Sequence, residues 1–270
     1  MPNFQVPGAT LFYETNGSGP ALLLIPGASG TGNVFKKTAN KLAPDFTAIT
    51  YDRRGFSKSY LTGKQDYANR LDQDADDAAA LLKHVAKGKP SFVFATSSGA
   101  VVGRTLLLRH PDSIETIMLH EPPLCKALPD GIREPYSEKT KNAYDVYREK
   151  GAIAAMEGFI DVNFTPREAK IMRLGAQAHV DPFGVGNQLY WFEFELLVYP
   201  FAELRIEEMK KYADKIIFAT SEEASDLPAG MVPQILAEKL GKKAIVLPGA
   251  HLGYLTEPED FAQAITTYME

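Results

Sequence analysis

Ser97 lies in the string Ala95-Thr96-Ser97-Ser98-Gly99, after the apolar run 91–95 and just before a helical segment, Gly99–Arg109. A serine on a sharp strand-to-helix turn is forced into a strained backbone conformation, at about 1–3 kcal/mol. The turn closes only if the residues two before and two after are small, as Ala95 and Gly99 are. Such a serine stands out of the sheet at a helix N-terminus, where amides and the helix dipole favour developing negative charge. Its chemistry is nucleophilic attack on a carbonyl, with the Ser98 amide as an oxyanion donor. A helix-capping Ser/Gly loop has the same composition, so the string gains meaning only from partners.

Among the five histidines, His251 alone sits in a loop suited to catalysis, Leu247-Pro248-Gly249-Ala250-His251-Leu252-Gly253. Glycines on both sides free the backbone to present an imidazole. His84 and His110 fall on or at the ends of helices, His120 alternates along a strand, and His179 falls in the helical middle of the chain. With His251 as general base for Ser97, the chain order is Ser, acid, His. Two carboxylates compete for the acid position. Glu121 ends the strand 116–119, and active sites of α/β proteins collect at the carboxyl ends of strands. Glu223 lies in the loop Thr220-Ser-Glu-Glu-Ala-Ser-Asp226, after the strand 215–219. The bland alternatives are a strand-end ion pair for Glu121 and a solvated charge run for Glu223.

These residues need a sheet to converge. The segments Phe4–Val6 and Thr10–Glu14 flank Pro7-Gly8 and read as a hairpin. Apolar strands follow at 21–25, 46–51, 91–95, 116–119, 215–219 and 243–247, alternating with helical segments at 34–42, 72–85, 99–109, 232–240 and 261–269. In the helix at 72–85, Ala and Leu occupy one face and Asp and Lys the other. Alternating strands and helices predict a mostly parallel sheet covered by helices on both faces. Between 124 and 204 only helices are expected, at 138–150, 152–163, 166–178 and 186–198. The expected organisation is therefore a core of residues 1–123 and 205–270, with a helical cap inserted at 124–204. The stretch Leu189–Phe201 concentrates aromatics around Trp191, the single tryptophan. Most of them should pack the cap on the core.

Composition excludes several classes. Hydrophobic residues make up 45% and charged residues 23%, as in ordinary globular proteins. The net charge of −5 leaves no basic stripe for nucleic acid. Cys125 is alone, so neither an internal disulfide nor a cysteine zinc site is expected. Met-Pro-Asn-Phe-Gln-Val-Pro-Gly does not read as a signal peptide. No apolar run approaches the ~20 residues of a membrane span. A cytoplasmic location is the expectation.

Taken together, Leu23-Leu-Ile-Pro-Gly27, Tyr51-Asp-Arg-Arg-Gly-Phe-Ser-Lys-Ser59, Ala95–Gly99 and Pro248-Gly-Ala-His251 resemble the α/β-hydrolase superfamily along nearly the whole chain. Two departures, Pro26 where many members have His and Ala95 where many have Gly, remove no catalytic group. The resemblance implies an α/β-hydrolase fold and a cofactor-free serine hydrolase. It also implies Ala28 as the second oxyanion amide and a cap roofing the site, with Trp191 as the first candidate to touch substrate. The strings Leu119-His-Glu-Pro-Pro123, Ser97-Ser-Gly99 and Pro248–His251 resemble the fungal zearalenone-lactone hydrolases. That favours Glu121 over Glu223 and a hydrophobic ester or lactone as substrate. Two other classes remain. One is a catalytically silent ligand-binding protein on the same fold. The other is an NAD(P)-dependent short-chain oxidoreductase, using Gly27-Ala-Ser-Gly-Thr-Gly32 for the dinucleotide and Asp52 for the ribose. Against the latter, a hairpin precedes the first parallel strand, and the Tyr60–Lys64 pair comes too early in the chain.

Overall fold

Strands buried on both faces have no polar side to present, so they appear as short continuous apolar runs. The computed structural model describes residues 2–175 and 181–269. Its strands are β1 (Asn3–Val6), β2 (Ala9–Asn16), β3 (Ala21–Ile25), β4 (Thr47–Tyr51), β5 (Tyr60–Leu61), β6 (Ser91–Thr96), β7 (Ile114–His120), β8 (Ile216–Ser221) and β9 (Ile245–Leu247). Its helices are α1 (Lys36–Leu42), α2 (Arg70–Val85), α3 (Ser98–Arg109), α4 (Asp130–Lys150), α5 (Ala152–Asn163), α6 (Pro166–Gly175), α7 (Gly184–Phe194), α8 (Ile206–Lys210), α9 (Pro228–Lys239), α10 (Gly253–Thr256) and α11 (Pro258–Met269).

The sheet runs β1-β2-β4-β3-β6-β7-β8-β9, with β5 paired to β2 at the hairpin end. The strands from β4 to β9 are parallel, and β1 and β2 join antiparallel. Register places Ile25 beside Ala95, Thr96 beside His120, His120 beside Ala219, and Ser221 beside Leu247. The carboxyl ends of β3, β6, β7, β8 and β9 therefore form one rim. The loops carrying Ala28, Ser97, Glu121 and His251 all leave from it.

Alternate residues face opposite layers. Leu23, Ile25, Val93, Ala95, Ile117 and Leu119 pack with α2, α3 and α9. Leu22, Leu24, Phe94 and Met118 pack with α1 and α11. A third apolar cluster, with Met156, Ile160, Trp191 and Phe192, belongs to the helices between β7 and β8. That segment contains α4–α7, in agreement with the helical reading of 124–204. The end of the predicted helix 166–178, and His179, lie outside the described residues.

Three local expectations are corrected. On α2, Asp74 and Asp77 are buried, because they meet Arg53 at 2.8 Å and Arg54 at 2.7 Å. The polar side of that helix is thus partly core. Helix α4 begins at Asp130 and carries Pro135 inside it, and α9 begins at Pro228 with Pro233 inside. These starts lie upstream of the expected 138 and 232; only Pro228, at the first position of α9, gives up an amide that lacks an intrahelical partner anyway. The two-residue β5 was too short to register as a pattern. No helix among the described residues is long and apolar enough to cross a membrane.

Candidate active site

Strand β6 ends at Thr96, and α3 starts at Ser98. Ser97 between them has φ 56° and ψ −130°, which an L-residue adopts only under constraint. The constraint comes from both sides. The Ser97 amide donates to the His120 carbonyl at 2.9 Å, and the Ser97 carbonyl accepts from the Ala100 amide at 2.9 Å. Gly99 lets α3 approach β3: a Cβ there would lie 2.5 Å from the carbonyl oxygens of Ile25 and Pro26. The small residue two positions after Ser97 is therefore a packing necessity. Among the described residues the Ser97 hydroxyl has no hydrogen-bond partner, including His251; such contacts often tighten only when substrate binds.

Glu121 directly follows β7 and also has a positive φ, 47°. Its carboxylate is almost wholly buried. Oε2 lies 2.5 Å from His251 Nδ1, and Oε1 accepts the Ser221 amide at 2.6 Å. Burial disfavours its charge, but His120, the His251 hydrogen bond and charge, and the Ser221 amide prevail and hold the carboxyl down at about 2. Burial likewise opposes protonation of His251. It is outweighed by the hydrogen bond to Glu121 and by the charges of Glu121 and Glu168, so the imidazole titrates above its ordinary value. Glu223 does not join this group. It is exposed, and among the described residues only its backbone is engaged, its amide donating to the Gly249 carbonyl at 2.9 Å.

Ala28, Ser97, Ser98, Trp191 and His251 line one cavity of about 50 Å³. Among the described residues the amides of Ala28 and Ser98 find no acceptor, as a pair of oxyanion donors requires. The remaining wall is apolar and comes mostly from α5–α7 and their flanks, including Met156, Phe159, Phe164, Met172 and Leu196. Tyr136, Thr140 and Asn163 are its polar exceptions. Trp191 is buried and stacks edge-on against Phe159, with centroids 4.9 Å apart. A larger open groove, about 630 Å³, runs past Lys126, Arg133, Lys141 and Phe201 and shares no lining residue with this cavity.

The glycine-rich loop after β3 is occupied by the chain itself. A Cβ at Gly30 would lie 2.0 Å from the Phe56 ring, which packs directly on this turn. Asp52 spends both carboxylate oxygens internally: Oδ1 accepts from Thr31 Oγ1 (2.7 Å) and the Gly32 amide (2.9 Å), and Oδ2 from the Lys58 amide (3.0 Å). These bonds give Asp52 a role inside its own turn, which argues against the oxidoreductase alternative. Arg53, fully buried, braces this loop. Nη2 donates to the Gly27 carbonyl and to Glu195 Oε2, and Nη1 to Asp74 Oδ2 and Glu195 Oε1, each at 2.8 Å. Losing one partner of so buried an ion pair typically costs ~3–5 kcal/mol.

Two neighbours of the Glu121–His251 pair were missed in the sequence. His120 accompanies the His251 ring, with centroids 5.7 Å apart, and bridges Thr96 Oγ1 and Ser221 Oγ at 2.8 Å each. Burial pushes its pKa down to about 4, so it is neutral near pH 7. Glu168, from α6, reaches the Leu252 amide. The His-Glu dipeptide at 120–121 was a usable signal for the first; nothing local marked the second.

A strained serine at the carboxyl rim of a parallel sheet, beside a buried Glu–His pair, defines a class, and the chain belongs to the α/β-hydrolase fold family, whose model matches residues 20–157. It is 30% identical over 278 residues to the uncharacterized hydrolase YraK of Bacillus subtilis, covering 98% of this chain and 94% of that protein. It is 23% identical to a zearalenone hydrolase of Cladophialophora bantiana, covering 96% and 92%. Among solved structures, the enol-lactonase from Burkholderia xenovorans superposes with a TM-score of 0.75 at 18% identity, covering 99% of both chains.

Proposed function

We propose that this chain is a serine hydrolase that cleaves a carboxylic ester or lactone of a hydrophobic small molecule through an acyl-enzyme on Ser97. The observation that carries this reading is the 2.5 Å contact between Glu121 and His251, with His251 lining a cavity shared with Ser97 and with Ala28 and Ser98, whose amides find no acceptor among the described residues. Glu121 accepts a hydrogen bond from the Nδ1–H of His251, which leaves Nε2 as the acceptor for the Ser97 proton. Ser97 Oγ attacks the carbonyl carbon, and the two amides receive the oxyanion. The C–O bond to the alcohol breaks as His251 returns its proton to the leaving oxygen. Water, deprotonated by His251, then releases the acid. In a lactone the leaving alcohol stays tethered to the acyl group.

Residues 124–204 act as the cap in this reading, and Trp191 packs against the acyl or alcohol portion. The apolar wall and the likeness to the zearalenone hydrolase support a hydrophobic substrate. The present volume admits only a few water-sized spheres, so a larger substrate requires side chains such as Met156, Phe159 and Met172, or their helices, to shift. A buried free Cys125 fits a reducing compartment.

The reading is tested by fluorophosphonate labelling with peptide mapping, followed by hydrolysis of a panel of hydrophobic esters and lactones. One adduct on Ser97 with turnover is expected; an unlabelled, inactive, folded chain would sink the proposal.

The pH profile supplies a second check. The base works only when His251 is neutral, and its pKa lies above the ordinary 6.5. The acid limb of kcat/KM should therefore rise with pH around a midpoint above 6.5. Glu121, held at about 2, stays ionised throughout and adds no limb between pH 4 and 8. A rate flat across that interval would remove His251 as the base.

A further inference from the structure

Helix α6 belongs to the insertion, yet its first turn fastens onto the loop that carries His251. Glu168 is 1% exposed. Its Oε2 accepts the Thr165 amide at 3.0 Å and the Thr165 hydroxyl at 2.9 Å, a capping arrangement local to α6. Capping needs nothing more. The other oxygen, Oε1, nevertheless leaves the insertion and accepts the amide of Leu252, the residue after His251. Two neighbours repeat the connection. Arg167 pairs with Glu257 at 2.9 Å, and the Phe164 ring meets the His251 ring edge-on, with centroids 5.5 Å apart. Phe164 and Met172, at the two ends of this stretch, line the cavity above Ser97.

We propose that Glu168 is a positioning residue for the base: α6, seated on the core, holds the His251 loop through the Leu252 amide, so the base is fully placed only while this part of the cavity wall is in place. This rests on the serine-hydrolase reading. A misplacement of about 1 Å at a catalytic group can cost ~10²-fold in rate, so one backbone tether beside the imidazole has leverage. The tether is also a charge. The groups around His251 are Glu121 in contact, the neutral His120 alongside, Glu168 from α6, and Tyr254, whose buried hydroxyl is pushed up well above its ordinary value. Glu168 is the one anion among them contributed by the insertion.

The test compares Glu168→Gln, Glu168→Ala and Thr165→Val, using kcat and KM on a small activated ester, the pH–rate profile, and an NMR titration of the His251 ring. Glu168→Gln keeps an acceptor for Leu252 and removes the charge. It should move both the acid limb and the NMR pKa of His251 down by about 0.5 unit or more, with kcat at pH 8 within about threefold. Glu168→Ala frees the loop and should lower kcat about 10- to 100-fold with KM changed far less. Thr165→Val removes only the local cap and should move neither readout. The proposal is overturned if the His251 pKa is unmoved in Glu168→Gln, or if Thr165→Val reproduces the kcat loss. Should Glu168→Ala not fold, the Gln variant and the NMR titration decide alone. A wild-type chain that hydrolyses nothing would defeat the hydrolase reading, and the titration would still report separately on Glu168.

Discussion

Glu121→Gln is expected to lower kcat about 10⁴-fold, by analogy with the acid-to-amide change in serine proteases, while Glu223→Gln stays within about twofold of wild type. The two residues differ in what surrounds them. Glu121 is buried, accepts the Ser221 amide at 2.6 Å and faces His251 Nδ1 at 2.5 Å. An amide of the same shape can present its NH₂ to Nδ1, which then becomes the acceptor and moves the imidazole proton to Nε2. The ring can no longer take the Ser97 proton. The charge that stabilises the imidazolium is also gone, so whatever activity survives should show an acid limb at lower pH. Glu223 is exposed, and its side chain has no role to lose. Glu121→Gln also has a stability signature. The carboxyl is held at about 2, against an ordinary 4.5. Its contribution is therefore complete above the ordinary value and is lost as pH falls toward 2. The variant should lack that part of the acid denaturation curve. A damaging Glu223→Gln with a mild Glu121→Gln would show that the acid is Glu223.

The sequence was most legible where one local pattern fixes both structure and chemistry. Ala95–Gly99 is such a place: an apolar strand, two small residues and a helix start leave the chain one way to turn, and the turn presents Ser97. The parallel sheet was legible for the same reason, since β3, β4, β6 and β7 are runs with no polar face to expose. What stayed hidden depends on pairing between distant elements. Glu121 and Glu223 both follow strands at the same rim, and the chain alone does not say which one turns inward. The difference lies in the backbone of Glu121, whose positive φ aims the side chain back over β8. Asp74 and Asp77 read as a solvated face because nothing in α2 itself shows that Arg53 and Arg54 wait beneath. Glu168 was read only as part of the helix 166–178. Its partner, the Leu252 amide, is 84 residues further along, and a backbone amide carries no sequence signal at all. The starts of α4 and α9 were read late, since both helices carry a proline inside them and begin several residues before it.

Ser97→Ala should abolish fluorophosphonate labelling and reduce kcat on the best ester or lactone by about 10⁶, the scale seen when a nucleophile is removed from a triad. The residue left by that loss should still exceed the uncatalysed rate, because the Ala28 and Ser98 amides and the apolar wall remain. Folding should survive the change. The Ser97 hydroxyl is half-buried and has no partner among the described residues, so its removal orphans no buried group, and alanine meets the same backbone strain at φ 56°. This makes Ser97→Ala a clean separator of chemistry from binding. Trp191 is the single tryptophan and lines the cavity, so its fluorescence reports occupancy directly. A hydrolase should bind a hydrophobic ester in the Ser97→Ala form, with a saturable Trp191 signal that persists, while the wild-type signal decays as product forms. A silent binding protein on this fold should give equal, stable signals in both forms and no adduct in either. That second pattern would leave the Glu121–His251 contact as architecture without a reaction, and would retire the proposed hydrolysis.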